Sequence, residues 1–153
     1  MKIAIDCDDA GLVLKKVLIE HLQALGTQVE DLDLLASMKV DYPDIGYNLA
    51  KRVASKAYDR GILICGTGLG MAMIANKVPG VFAGTCHDTF SAERLKKSND
   101  ANVLTLGARV IGPELAKMIV SAWVKSEFDG GRSLPKVERM KQLERQEQIP
   151  SGA

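Results

Sequence analysis

The sequence has no long hydrophobic run and no excess of either charge, and each absence excludes a class of protein. None of its apolar segments approaches the ~20 residues needed to cross a bilayer, so we expect no membrane-spanning helix. Lysine and arginine number 20 against 19 for aspartate and glutamate, and the two signs are interspersed. No broad basic surface is therefore available for nucleic acid or an anionic membrane. An anionic ligand requires a local site.

Metal and disulfide chemistry also have little support. The cysteines Cys7, Cys65 and Cys86 form no C-x-x-C pair and are odd in number, so we expect neither a zinc site nor a disulfide framework. The chain enters a strand pattern directly, without the features of a leader peptide, which favours a cytoplasmic protein. Its 153 residues predict one domain over 1–148 and a frayed tail over 149–153.

What the sequence does contain is a regular alternation of strand and helix patterns. Strands are expected at 2–7, 27–34, 61–65, 81–86 and 102–106. Helices with apolar residues three and four apart are expected at about 12–25, 44–58, 71–76, 89–97, 111–125 and 135–146. We therefore expect an α/β fold: a doubly wound three-layer sandwich with a five-stranded parallel sheet, order 2-1-3-4-5, and a C-terminal helix.

The stretch 61–70, GILICGTGLG, is the candidate functional site. Its apolar half predicts a buried strand that ends at Cys65, and Gly66, Gly68 and Gly70 then leave bare backbone N–H groups in a turn that leads into a helix. N–H groups at such a turn stabilise an anion or a developing oxyanion. Cys65 thus places a thiol where negative charge is favoured.

Other interpretations of this turn compete. A dinucleotide site requires G-x-G-x-x-G after the first strand, whereas G-x-G-x-G here follows the third, and no Gly-Lys-Ser/Thr follows to make a Walker loop. A turn that serves only close packing would explain the glycines, but not the flanking Cys65 and Thr67. A redox-sensing thiol is a further alternative. Cys7 and Cys86 are interpreted as inert buried residues.

Ligands of a doubly wound sheet bind at the carboxyl ends of the strands, near the point where the strand order reverses. Adjacent first and third strands would bring Asp8 close to Cys65. We expect the same edge to collect the other polar residues around the strand ends, which are Asp9, Ser98, Asn99 and Arg109.

At these residues the sequence resembles the ribose-5-phosphate isomerase B and galactose-6-phosphate isomerase family of aldose-ketose isomerases. The matching stretches cover nearly the whole chain: CDDAG (7–11), DYP (41–43), GILICGTGLGMAMIANKVPG (61–80), CHDTFSAERLKKSNDANVLTLGARVIGPELA (86–116) and EFDGGR (127–132). The resemblance implies a small phosphorylated sugar as substrate and no metal, nucleotide or other cofactor. It also implies a homodimer with active sites at the subunit interface, and leaves a tetramer open.

Interconversion of an aldose and a ketose requires a base that moves a proton between adjacent carbons, and donors that stabilise the enediolate oxygen. The glycine turn and the resemblance together indicate Cys65 as the base and Thr67 as a hydroxyl partner. The remaining assignments are the amides of Gly66, Gly68, Leu69 and Gly70 for the enediolate, Asp8 and Asn99 for sugar hydroxyls, and Arg109 and Arg132 for phosphate.

Three positions depart from the family pattern. Asp9 stands in place of a histidine, Ser98 in place of the histidine before Asn-Asp, and Lys136 in place of a second arginine. The resemblance gives the histidine before Asn-Asp the task of opening a furanose ring, for which a hydroxyl is a poor proton carrier. A tetrose 4-phosphate cannot close to a furanose, so Ser98 fits such a substrate.

We therefore expect an isomerase of the ribose 5-phosphate and ribulose 5-phosphate type, in which Ser98 takes the place of a proton carrier and Asp9 and Lys136 contact substrate. An isomerase of a tetrulose 4-phosphate is the first alternative. A sugar-phosphate-binding homologue without catalysis is the second, and the presence of both Cys65 and Thr67 argues against it.

Overall fold

The computed structural model describes residues 1–148 as a parallel sheet with helices on both faces. The strands are β1 (Lys2–Cys7), β2 (Gln28–Asp31), β3 (Arg60–Cys65), β4 (Ala83–Thr85) and β5 (Val103–Gly107). The helices are α1 (Leu12–Ala24), α2 (Leu34–Met38), α3 (Tyr42–Ala54), α4 (Leu69–Ala75), α5 (Thr89–Lys97), α6 (Pro113–Lys125) and α7 (Leu134–Gln148). The doubly wound class and the C-terminal helix are confirmed, and the predicted tail at 149–153 lies outside the described residues.

The order of the strands is β2-β1-β3-β5-β4, with every pair parallel. The predicted order 2-1-3-4-5 is therefore wrong for the last two strands. β5 is buried at every position, as a strand with neighbours on both sides must be, whereas every residue of β4 is only half-buried. β4 is thus the strand that tolerates the sheet edge.

Two hydrophobic layers flank the sheet. The layer that includes α1 and α6 contains Leu18 and Trp123, both fully buried. The layer that includes α3 and α4 contains Leu49, Met71 and Cys65. Burial of each large side chain contributes about 1.5–3 kcal/mol to folding. The end of β3 is therefore held in the second layer.

A buried arginine joins the start of β3 to the end of α6. Arg60 is 4% exposed, and its guanidinium donates to the carbonyls of Trp123 and Ser126, each at 2.8 Å. It also donates to Glu127 Oε1 at 2.8 Å. The last carbonyls of a helix have no N–H donors within the helix, so here the guanidinium acts as their donor. This contact fixes the segment that leads to Arg132.

The largest local differences from prediction lie between β2 and β3. The expected loop contains α2, and α3 begins at Tyr42 rather than at Asp44 because Tyr42 and Pro43 occupy its first turn. Proline is favoured there since its missing N–H would have no partner within the helix. No helix within the described residues is long and apolar enough to cross a membrane.

Candidate active site

Cys65 ends the central strand and begins the glycine turn. Three residues separate it from Leu69, where α4 starts. The Gly68 N–H donates to Cys65 Sγ at 3.1 Å. Gly68 has φ +80°, in the left-handed region that favours glycine, so the backbone curls back toward the sulfur. A hydrogen bond to sulfur stabilises negative charge on it.

The end of β5 holds this turn in place. The Arg109 N–H donates to the Gly66 carbonyl at 3.0 Å, and the preceding N–H donates to the Cys65 carbonyl at 2.8 Å. A Cβ at Gly107 would lie 2.7 Å from the Thr67 carbonyl oxygen, a separation that glycine alone avoids. The turn and the end of β5 therefore form one closely packed unit.

The predicted enediolate donors do not all face the same way. The Gly68 N–H is directed at the sulfur, and the Leu69 N–H donates to Thr67 Oγ1 at 3.3 Å. Thr67 and Leu69 are exposed, whereas the Tyr42 ring covers Gly70, where an added Cβ would lie 2.5 Å from the ring. The exposed polar groups beside the thiol are therefore those of Thr67 and Leu69.

Tyr42 is a candidate site residue to which no role was assigned from the sequence. Its ring lies against Gly70 and lines an open cleft of about 500 Å³ together with Asp8 and Asp9. The side chain is 41% exposed, so it is available to a ligand. The available signal was the D-Y-P motif, since a proline in the first turn of a helix indicates that the helix starts near Tyr42.

Asp8 lies beside the end of β3, and the predicted proximity to Cys65 is confirmed by the pairing of β1 with β3. Its N–H donates to the Ile64 carbonyl at 3.1 Å. Partial burial raises the pKa of Asp8, which the Ala10 N–H and the Arg109 guanidinium partly oppose. Arg109 lies over the glycine turn, with Nη1 3.3 Å from the position of a Cβ on residue 66. These groups meet where the strand order reverses.

Ser98 and Asn99 lie at the amino ends of the strands, which form the opposite edge of the sheet from the carboxyl ends where Cys65 lies. α5 returns the chain to that edge and ends at Lys97, before β5 begins. β5 then needs its whole length, about 13 Å, to reach the level of Cys65. The expectation that Ser98 and Asn99 share an edge with Cys65 is therefore wrong within one chain. In a parallel sheet, residues before a strand and residues after it lie at opposite edges.

The connector that carries Arg132 lies at the same edge as Ser98. The Asp129 N–H donates to the Lys97 carbonyl at 3.1 Å, which places the connector beside the end of α5. Arg132 and Lys136 are both exposed. The two predicted phosphate ligands, Arg109 and Arg132, are thus divided between the two edges of the sheet.

Cys7, Cys86 and His87 lie near the strand ends, and their surroundings indicate structural roles. Burial raises the pKa of Cys7 to about 12 and that of Cys86 to about 11, so both thiols stay protonated at neutral pH. His87 Nε2 accepts the Gly107 N–H at 2.9 Å. Among residues 1–148, no three His, Cys, Asp or Glu side chains are grouped as metal ligands would be.

The fold and the site define a doubly wound α/β protein with a hydrogen-bonded thiol at the point where the strand order reverses. The family model described as Ribose/Galactose Isomerase matches residues 3–140. The chain therefore belongs to the ribose/galactose isomerase family.

Individual relatives agree with this membership. The chain is 50% identical over 149 residues to the D-erythrulose-4-phosphate isomerase of Pectobacterium atrosepticum, covering 96% of this chain and 97% of the relative. It is 49% identical over 144 residues to the ribose-5-P isomerase B of Listeria innocua, covering 94% and 97%. The solved structure of Clostridium thermocellum ribose-5-phosphate isomerase B matches with a TM-score of 0.90 and 44% identity, over 96% of this chain and 99% of that one. The protein is an aldose-ketose isomerase of a sugar phosphate, as predicted.

Proposed function

We propose that the substrate pair is of the ribose 5-phosphate and ribulose 5-phosphate type and that Cys65 is the base. The observation that carries this proposal is the Gly68 N–H on Cys65 Sγ, beside the exposed Thr67 hydroxyl. A thiolate takes a proton from the carbon next to the carbonyl, which leaves an enediolate, and returns it to the former carbonyl carbon, while the hydroxyl proton of the first carbon passes to the former carbonyl oxygen. The exposed Thr67 hydroxyl, which accepts from the Leu69 N–H, supplies a donor for the enediolate oxygens. Hydrogen moves as a proton throughout, so the scheme needs no cofactor.

Replacement of Cys65 by alanine tests this role. We expect Cys65→Ala to lower kcat by about 10²–10⁴-fold, since a general base contributes that much, while the sugar phosphate still binds. Cys86→Ala is the matched control, because it removes a buried thiol that follows β4 and lies outside the site. Turnover is followed by NMR of the sugar phosphate. Undiminished kcat in Cys65→Ala would show that another group is the base.

We infer that a second protomer completes the site. Within one chain, the edge with Cys65 is separated from the edge that carries Ser98, Asn99, Arg132 and Lys136. The Cys65 edge also exposes large apolar side chains of α4 and α5: Leu69 at 58%, Met73 at 71% and Phe90 at 72%. Exposed apolar side chains in such number are typical of surfaces that bind a partner.

A two-fold homodimer would join one edge of each protomer to the other edge of its partner. In that arrangement Asp8 and Asp9 contact sugar hydroxyls from one side. The second protomer then supplies Asn99 for a hydroxyl and Arg132 with Lys136 for phosphate, where arginine forms the stronger, bidentate contact. Light scattering would distinguish this dimer from a tetramer of paired dimers.

Mixing two inactive variants tests the shared site. Cys65→Ala and Arg132→Ala impair opposite edges, so each homodimer lacks an intact site. Half of the randomly reassembled dimers are mixed, and each holds one intact site, so about a quarter of the wild-type activity should return. Cys65→Ala mixed with Thr67→Ala, both on one edge, is the control. Equal recovery in both mixtures, or none in either, would refute the shared site.

A tetrulose 4-phosphate is the second candidate substrate, favoured by one residue and one relative. Ser98 offers a hydroxyl where opening of a furanose ring would call for a proton carrier. The Pectobacterium atrosepticum relative named for D-erythrulose 4-phosphate is 50% identical. A panel of tetrose, pentose and hexose phosphates, assayed with wild type and Ser98→His, separates the two. High ribose 5-phosphate turnover that Ser98→His does not improve would refute the ring-opening argument.

We also propose that the enzyme acts in the cytoplasm. All three cysteines are free, which suits a reducing compartment. Cell fractionation with an antibody tests the location, and recovery in an extracytoplasmic fraction would refute it.

A further inference from the structure

Two threonine hydroxyls beneath the glycine turn make contacts that the proposed proton transfer does not use. Thr105 in β5 and Thr85 in β4 face each other in the sheet register. Thr105 is fully buried, and its Oγ1 lies 2.8 Å from the Gly68 carbonyl oxygen. Thr85 Oγ1 lies 2.7 Å from Thr105 Oγ1 and 3.2 Å from the same carbonyl. The hydroxyls of Thr105 and Thr85, both in the sheet, therefore hold the Gly68 carbonyl in place.

The number of hydroxyl protons determines which threonine donates to the Gly68 carbonyl. Two hydroxyls carry two protons, and there are three contacts to satisfy. The two shortest contacts are both made when Thr85 donates to Thr105 and Thr105 donates to Gly68. A hydroxyl that accepts one hydrogen bond also donates a stronger one. Thr105 is thus the direct donor, and Thr85 orients it.

Gly68 needs this support because its backbone carries two constraints and no side chain. Its N–H donates to Cys65 Sγ, while its carbonyl accepts from Thr105. A Cβ on this residue would lie 2.9 Å from the Leu106 carbonyl carbon, so only glycine fits against β5. Glycine is also the residue with the greatest backbone freedom. Fixing the Gly68 carbonyl therefore holds the backbone in the conformation that directs the Gly68 N–H to the sulfur.

We propose that Thr105, oriented by Thr85, is a positioning residue that keeps the Gly68 N–H on the Cys65 sulfur. Its effect on turnover rests on the proposed role of Cys65 as base. Its effect on the thiol does not, because the reactivity of Cys65 can be measured without any sugar. Both effects act through Gly68, and neither threonine needs to touch the substrate.

Thr105→Val removes the hydroxyl and keeps the shape, Thr105→Ser keeps the hydroxyl, and Thr27→Val is the matched control in a loop far from the turn. We expect Thr105→Val to lower kcat about tenfold with KM within about twofold, since a Gly68 carbonyl that is no longer fixed by Thr105 loosens the hydrogen bond from the Gly68 N–H to the charged sulfur. Thr105→Ser and Thr27→Val should stay within about twofold of wild type.

The second readout is the rate at which Cys65 exchanges with dithiodipyridine at neutral pH. Because the Gly68 N–H then stabilises the attacking sulfur less, the rate in Thr105→Val should fall about threefold. Peptide mass spectrometry assigns the exchanged residue. Thr105→Ser should restore this rate as well as kcat.

Each outcome supports or overturns the proposal. Wild-type kcat and exchange rate in Thr105→Val would overturn it and leave Cys65 as the base. Equal losses in Thr105→Val and Thr105→Ser would also overturn it, because the loss would then follow packing rather than the hydroxyl. If the wild type turns over no sugar phosphate, the proposed function fails, and the exchange rate alone still decides whether Thr105 controls the thiol.

Discussion

Arg60→Met removes a buried guanidinium and keeps an unbranched apolar stem. The guanidinium donates to the carbonyls of Trp123, Val124 and Ser126 at 2.8, 3.3 and 2.8 Å. The Trp123 carbonyl also accepts the Ser126 N–H at 3.2 Å, so it keeps a partner in the variant. Two carbonyls therefore lose the donor that the arginine supplied, at the point where α6 ends.

The cost follows from these two carbonyls and from the loss of packing on Trp123. A buried acceptor without a partner costs about 1–3 kcal/mol, so we expect Arg60→Met to lower the free energy of unfolding by about 3 kcal/mol. The guanidinium also lies 5.4 Å from the centre of the Trp123 ring, a contact that methionine replaces only in part. For a chain of this length, the loss corresponds to a fall in Tm of about 6–12 °C.

Glu127→Gln removes the ion pair with Arg60 but keeps the hydrogen bonds from Arg60 to the carbonyls at the end of α6. It therefore separates the two contributions to stability. The Glu127 side chain is 79% exposed, so its ion pair with Arg60 contributes about 0–1 kcal/mol, although the atoms are 2.8 Å apart. Urea unfolding of both variants at one fixed protein concentration gives the comparison. A loss in Glu127→Gln as large as in Arg60→Met would place the energy in the ion pair and refute the capping argument. So would a loss below about 1 kcal/mol in Arg60→Met.

Two further contacts give predictions of their own. His87→Gln retains an acceptor for the Gly107 N–H and should keep most of the activity, whereas His87→Leu should lower kcat by loosening the end of β5; equal kcat in both would contradict this. The Ser91 N–H lowers the pKa of Asp88, so this helix cap stabilises the fold above the unfolded-state pKa and is lost as pH falls through the lower folded-state pKa. Asp88→Ala should therefore lower Tm at neutral pH but progressively less below about pH 4, and a constant difference in Tm would contradict this.

Much of the fold could be predicted from short stretches of the sequence. The pattern at 2–7 matches β1 without error, and the expected end of β3 at Cys65 is correct because the glycine turn, with φ +80° at Gly68, takes the chain out of the strand. The exchange of β4 and β5 depends on which strand has two neighbours, and that is decided by burial across the whole sheet.

The site shows the same division between local and global information. The turn around Cys65 was predictable because the glycines and the thiol are adjacent in sequence. The position of Ser98 was predicted wrongly, although the parallel order of the strands was sufficient to place a residue before β5 at the other edge. Tyr42 was missed because its contact with Gly70 joins segments that are distant in sequence.

The separation of the two edges changes how the unusual residues of this chain should be understood. Asp9 lies at the edge with the thiol, whereas Ser98 and Lys136 lie at the other. In the proposed dimer, each site therefore combines Asp9 of one protomer with Ser98 and Lys136 of the second. A substitution at Ser98 would then alter turnover at the thiol of the partner protomer, not at its own. Substrate choice in this enzyme would be a property of the pair of chains, because neither edge alone contacts both ends of the sugar phosphate.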